Sequence, residues 1–208
     1  FRNRIVEAID PQDLTSLRTL YQREYQQLPF SKDRQQHILN AILIKSYMKA
    51  IDETVTLTAE EERVLHDYLF SVEIWGHYEL LFFSSCSPLL SVRLLTKYTR
   101  EMLRKSDFLQ GVGKNRNMMH TLLLNAFMAC IEIDDFTNAL YFKKQIEKNF
   151  FEENETYFRI VYLWAEGLLD SKQGRVEEGQ RKMEDALCIF EMIGCSKSAD
   201  FYRSAMEC

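Results

Sequence analysis

Three side chains in the stretch Asn115 to Glu132 (NRNMMHTLLLNAFMACIE) have types and spacing that could do chemistry. Asn117, Thr121 and Asn125 recur at i, i+4 and i+8. Residues four apart stack on one face of a helix, so their amides and hydroxyl form a single polar stripe. Amides and hydroxyls both donate and accept hydrogen bonds. Around the stripe, every residue from Met118 to Ile131 is apolar except His120, Thr121 and Asn125. A helix with no solvent face must be packed on several sides. It is also shorter than the ~20 residues a bilayer needs. Two readings of the stripe stay open: a face turned toward a cavity or groove, or groups hydrogen-bonded inside a core as buried polar groups generally are.

Other chemistry is mostly excluded. The histidines His37, His66, His77 and His120 show no HExxH or comparable metal spacing, and none pairs with a cysteine at ligand spacing. There is no GxSxG. Gly111-Val-Gly113-Lys114 lacks the preceding strand and the following Ser or Thr of a phosphate loop. Asn154-Glu-Thr156 fits a glycosylation sequon but sits where Asn is a helix cap. No catalysis, metal or cofactor is expected. The five cysteines (Cys86, Cys130, Cys188, Cys195, Cys208) are odd in number and form no CxxC pair. Free thiols in a reducing cytoplasm are therefore expected, with Cys130 and Cys188 on buried helix faces. The formal net charge of −5 disfavours non-specific nucleic-acid binding by this segment. Arg93, Lys97, Arg100 and Arg104 form a basic stripe at helical intervals. It reads either as a solvated face or as a place where a cation such as Arg93 meets a ligand carboxylate.

The elements that must position these groups follow from composition. With 7 Gly and 3 Pro in 208 residues there is little punctuation, and no window alternates as strands do. The class is all-α, with no membrane span. Helices are expected near Arg2 to Ile9; from the Asp10-Pro11 start to Leu28; from a Ser31 cap to Ala50; and from a Thr58–Glu61 capping box to about Ile74. Trp75-Gly76 breaks the chain before His77 to Ser84, and Ser87-Pro88 opens a helix to Arg104. A glycine-rich loop, 110–115, precedes the central helix. Helices over 136–150, 154–171, 175–193 and 196–207 complete the chain. Two hairpins align at an offset of 40: Asp134 with Gly174, Phe136 with Val176, Ala139 with Gly179. Gly167, Gly174, Gly179 and Ala186 lie where a tetratricopeptide hairpin needs close approach. Such repeats stack into a superhelix whose first helices line a concave face. In that register Thr121, Asn125 and Met128 face the concavity, followed by Tyr157, Val161, Trp164 and Leu168 of the next repeat.

The run Asp67-Tyr-Leu-Phe-Ser-Val-Glu-Ile-Trp-Gly-His-Tyr-Glu-Leu-Leu-Phe82 resembles the signature of the Rgg/MutR-type quorum-sensing transcription regulators. The similarity extends from about residue 30 to the end, through the Asn125 helix and Gln173-Gly-Arg-Val176. It implies a degenerate tetratricopeptide-like right-handed superhelix of about five helical hairpins, closed by a C-terminal capping and dimerisation helix. It also implies a cytoplasmic homodimer that binds a short, re-imported signalling peptide and touches DNA only through an N-terminal helix-turn-helix domain. That domain is absent from this chain, which begins at Phe1 and reads as a single peptide-sensing domain over 1–208. The expected ligand set is Asn117, Thr121, Leu124, Asn125, Met128, Tyr157, Val161, Trp164, Leu168 and Arg93. Asn125 would bond the peptide backbone. Leu124, Met128, Val161, Trp164 and Leu168 would take its side chains. On the last helix Phe201 and Ala205 form one apolar patch, and Ala199, Tyr202 and Met206 another. One patch docks the helix; the other is expected to meet a second subunit, which assigns dimerisation to Phe201, Tyr202, Ala205 and Met206. The competing reading is a constitutive protein-interaction scaffold, which would want a basic groove rather than an apolar one.

Overall fold

The computed structural model describes residues 14–105, 113–148 and 152–206. Among them are ten α-helices, one short 3-10 turn and no strand. The helices expected over Arg2 to Ile9 and at the Asp10-Pro11 start lie outside the described residues. The chain divides into two compact units, Phe1–Met118 and Met119–Cys208, with the division inside the central helix rather than at a linker.

The first unit contains α1 (Leu14–Gln27), α2 (Arg34–Lys49), α3 (Ala59–Ser71), α4 (His77–Cys86), the 3-10 turn Ser87–Leu89, α5 (Val92–Lys105) and the start of α6 (Gly113–Glu132). The last of these begins inside the stretch read from sequence as a loop. Its core helix is α2. Asp33, not Ser31, is its N-cap and accepts from the Gln36 amide, while Ser31 accepts from Asp33. From Ile38 to Met48 the helix is buried nearly all round, and it packs against α1, α3 and α4. Tyr47 is only half-buried and Ile51 is exposed, so the buried face ends at Met48. The Thr58–Glu61 capping box forms as expected. Trp75, fully buried, lies 5.3 Å from Phe83 and fills the break before α4.

Glu61 does more than cap. Its side chain has no exposure. One carboxylate oxygen accepts from Lys45 at 2.6 Å and from the Thr58 amide at 2.7 Å. The other accepts from the hydroxyls of Tyr21 (2.9 Å) and Tyr25 (3.1 Å). Lys45 also donates to the Thr56 carbonyl at 2.8 Å. A charge can stay buried only when it is paired and its remaining hydrogen bonds are met. Here α1, α2 and α3 each supply part of that set. Burial pushes the Glu61 carboxyl up, but the Lys45 ammonium, the Thr58 amide and the Tyr21 hydroxyl outweigh it and hold it below the usual glutamate range.

The second unit holds the rest of α6, then α7 (Phe136–Lys148), α8 (Thr156–Lys172), α9 (Val176–Met192) and α10 (Ser196–Ser204). Its turns repeat. Asp134, Gly174 and Gly194 all have positive φ (57°, 89° and 77°). In each case the next amide bonds back to the carbonyl five residues earlier: Asp135 to Cys130, Arg175 to Asp170 and Cys195 to Phe190, at 2.8 to 2.9 Å. This left-handed helix stop satisfies carbonyls that would otherwise be orphaned. The offset of 40 read from sequence is therefore real in the backbone, and a third copy follows at 20.

Close approach of α8 and α9 falls on Gly167 and Gly179. A Cβ on Gly167 would lie 2.5 Å from the Gly179 carbonyl, and one on Gly179 would strike the Gly167 carbonyl and Ser171. Gly174 has open space instead, so its requirement is the positive φ and not the packing read from sequence. Cys188 also corrects the reading. The buried face of α9 runs through Met183, Ala186, Leu187 and Phe190, which leaves Cys188 exposed, whereas Cys130 and Cys86 are buried. Cys208 lies outside the described residues.

Candidate ligand-binding site

The polar stripe is carried by α6. Asn117 is exposed, while Thr121, Asn125 and Met128 are half-buried. The helix buries its other sides through Leu122, Leu123, Ala126, Phe127, Cys130 and Ile131. In the second unit α6 meets α8 through two ring contacts one stripe away from the polar groups: His120 with Phe158 at 5.6 Å, and Phe127 with Tyr162 at 6.1 Å. Positions 120 and 127 thus point at α8. Thr121, Asn125 and Met128 are turned along the helix surface beside that seam.

Helix α8 has three claimed faces. Phe158 and Tyr162 meet α6, and Gly167 meets α9. Trp164 lies 5.1 Å from Tyr202 of α10, while Tyr157 lies 5.7 Å from Phe190, which stacks on Tyr202 at 5.7 Å. Leu168 is half-buried and Tyr157 is 47% exposed. Leu124, Val161 and Trp164, expected on the ligand-facing surface, are only 2 to 3% exposed. Those three are core residues, whereas Thr121, Asn125, Met128, Tyr157 and Leu168 keep exposed surface. The indole N–H of Trp164 has no acceptor among the described residues. Arg93 and Asn117 belong to the first unit.

The structure also assembles charged groups that sequence spacing did not single out. His120 lies 3.4 Å from Glu155, both nearly buried. Tyr162 donates to Glu147 (3.1 Å) and Glu166 (3.3 Å), and Lys143 donates to Glu166 at 2.5 Å. Asp170 accepts from Arg175 at 2.5 Å and Lys182 at 2.6 Å. Burial raises its carboxyl, but the two cations prevail and hold it below the usual range. The clue available in sequence was a charge inside an apolar helix run, as with Lys45 in AILIKSYM and Glu166 in LWAEGLL. Among the described residues no group of His, Cys, Asp and Glu could hold a metal, and no helix is long and apolar enough to cross a membrane.

On α10 the two patches separate as the spacing requires. Ala199 and Tyr202 are buried, whereas Phe201 is 67% exposed and Ala205 is exposed. Tyr202 is thus spent inside its own unit, which removes it from any contact surface and leaves Phe201, Ala205 and the half-buried Met206.

Residues 19–204 match the family described as HTH-type transcriptional regulator Rgg, C-terminal domain. The chain belongs to that family. Crystal structures of the SHP pheromone receptor Rgg2 from Streptococcus dysgalactiae, one of them a cysteine-to-serine variant, superpose with a TM-score of 0.79 at 26% identity. They cover 98 to 99% of this chain, which spans 70 to 71% of theirs. A candidate transcriptional regulator from Listeria monocytogenes shares the fold at a TM-score of 0.74 and 18% identity, over 94% of this chain and 67% of its own. The all-α, tetratricopeptide-like reading and the resemblance carried by residues 67–82 both hold. This Rgg C-terminal domain is part of a transcription-regulator family and sits beside pheromone receptors in sequence and in fold.

Proposed function

We propose that the domain senses a short, largely apolar signalling peptide and dimerises, and so controls DNA binding by the longer regulator. The observation that carries the reading is the accessible Thr121–Asn125–Met128 stripe on a helix whose other faces are buried, in a chain similar to an SHP pheromone receptor. Asn125 bonds the peptide backbone. Met128, Leu168 and Tyr157 take side chains, and methionine's flexible thioether suits a varied apolar partner. A second subunit covers Phe201 and Ala205 by a two-fold contact.

Asn125→Ala tests the site. Titration with the synthetic SHP pheromone of the Rgg2 relative should lose affinity by about tenfold or more, since one backbone hydrogen bond is worth roughly 0.5–1.5 kcal/mol and more when a partner is left unpaired. The melting temperature should hold. Intact affinity with a large drop in melting temperature would return Asn125 to the core. For the dimer, Phe201→Ser should give a folded monomer by light scattering. A persisting dimer moves the interface elsewhere, and a monomeric parent chain removes the proposal.

A further inference from the structure

The chain's net charge of −5 conceals a strong local segregation. Helix α5 carries Arg93, Lys97, Arg100, Arg104 and Lys105 against the single acid Glu101. Lys105 turns inward to the Val72 carbonyl at 2.7 Å, but the other four cations are exposed. They stand at i, i+4, i+7 and i+11, a row roughly 16 Å long at a rise of ~1.5 Å per residue. Lys97 is held in place: its ammonium lies 5.5 Å over the ring of Phe70 on α3 and 5.4 Å over that of Tyr98. Cation–π contacts of this kind fix a long side chain without neutralising it. Phe70 is itself stacked on His66. The neighbouring acids are mostly engaged: Glu101 holds Arg104 at 2.7 Å, and Asp67 lies 3.8 Å from His66. Arg63 adds a further exposed cation on α3.

We propose that this α5 face follows the phosphodiester backbone of duplex DNA beside the site held by the regulator's own DNA-binding part. Each DNA strand presents a phosphate every ~3.4 Å of axis, so a row of this length spans about five of them. Such contacts position a protein on the duplex without reading sequence. They need no groove and no shape complementarity, and none is built here. The acidic balance of the whole chain does not set the local field, because on this face the cations outnumber Glu101 and Asp67. A modest electrostatic contact gains weight once another part of the same protein is already on the DNA, since it becomes intramolecular. The inference rests on membership of a DNA-binding regulator family and is independent of the peptide reading. The exposed Phe70 and Ile74 beside the row would suit an acidic protein partner instead, and the test separates the two.

The probe is a fluorescent duplex of about 30 base pairs and arbitrary sequence, titrated with this chain across a salt series; four contacts give a log–log salt slope of about −3.6, or roughly 150-fold weaker binding at 200 than at 50 mM salt. The double variant K97Q/R104Q, altered only on the surface, should flatten the slope by about 1.8 while its melting curve is unchanged. Absence of binding at the lowest salt overturns the proposal, as does a slope that the variant leaves unaltered. Poly-L-glutamate competing as well as DNA, charge for charge, assigns the face to an acidic protein and overturns it too. None of these outcomes touches Asn125 or pheromone binding, so failure here and failure of the peptide site are distinguishable.

Discussion

The two units solve the same packing problem with different means. In the second, helices are stopped by a repeated left-handed turn and brought together by glycine, so the backbone itself sets the geometry. In the first, no turn is repeated among the described residues, and the register of three helices is set by a buried charge that each must help to satisfy. A backbone device tolerates surface drift but no added carbon. A charge network tolerates small shape changes but no lost partner. The contrast predicts which substitutions each unit can bear.

The largest effect should come from Lys45→Met. It leaves the Glu61 carboxylate buried without its cation, and breaking one side of such a pair costs about 3–5 kcal/mol. Urea unfolding should show it. Replacing Glu61 with Met in the same chain should recover part of the loss, and no recovery would mean that Lys45 acts by packing alone. The network also predicts acid sensitivity. Glu61 has a folded pKa below its unfolded one, so its contribution is complete above the ordinary glutamate range and fades as pH falls through the lower folded value. Asp170 acts with the same sign in the second unit, from a site more open to water. Glu61→Gln should therefore flatten the acid limb of the stability curve more than Asp170→Asn does. The reverse order would erase the distinction between the units.

Next in size is Gly179→Ala. The added carbon meets the Gly167 carbonyl and Ser171, and overpacking a fixed helix pair costs about 1–3 kcal/mol. Gly174→Ala meets no atom and should cost only the left-handed strain, about 1–2 kcal/mol. If the two alanines proved equal, close approach would not distinguish these positions. The smallest effect belongs to Asp134→Gly. It eases a strained φ of 57° but gives up an exposed pair with Lys172 at 3.6 Å, and a surface change of this kind should stay within about 0.5 kcal/mol.

The second unit was the more legible in sequence because the devices that shape it are local. Glycines, left-handed turns and 40-residue offsets are local signals, so Asp134, Gly174 and Gly179 align from the sequence alone. Buried networks join distant residues, and nothing in the Thr58–Glu61 capping box announced that Tyr21, Tyr25 and Lys45 would share the same carboxylate. The site divided along the same line. Periodicity placed Thr121 and Asn125 on one stripe, but the covering of Trp164 depended on Tyr202, some forty residues away. Phe201 and Tyr202 show the limit clearly: adjacent aromatics of similar size, one outward and one spent in the core.

The glycine-built hairpin has a consequence in time. Helices α8 and α9 are joined across three residues, 173–175, so their packing closes almost no loop. The first unit's network instead ties Tyr21 to Glu61 across forty residues. Loop-closure entropy must be met before distant contacts reward it, and chains rich in local contacts organise sooner. The α8–α9 hairpin should therefore be the first part of the molecule to acquire protection during refolding. In a pulse-labelling hydrogen-exchange experiment, amides over 160–190 would gain protection before those of α2. Simultaneous protection would mean that the two units fold as one. A chain emerging from the ribosome meets these elements in the opposite order, with the slower-organising unit synthesised first and its quickest scaffold last.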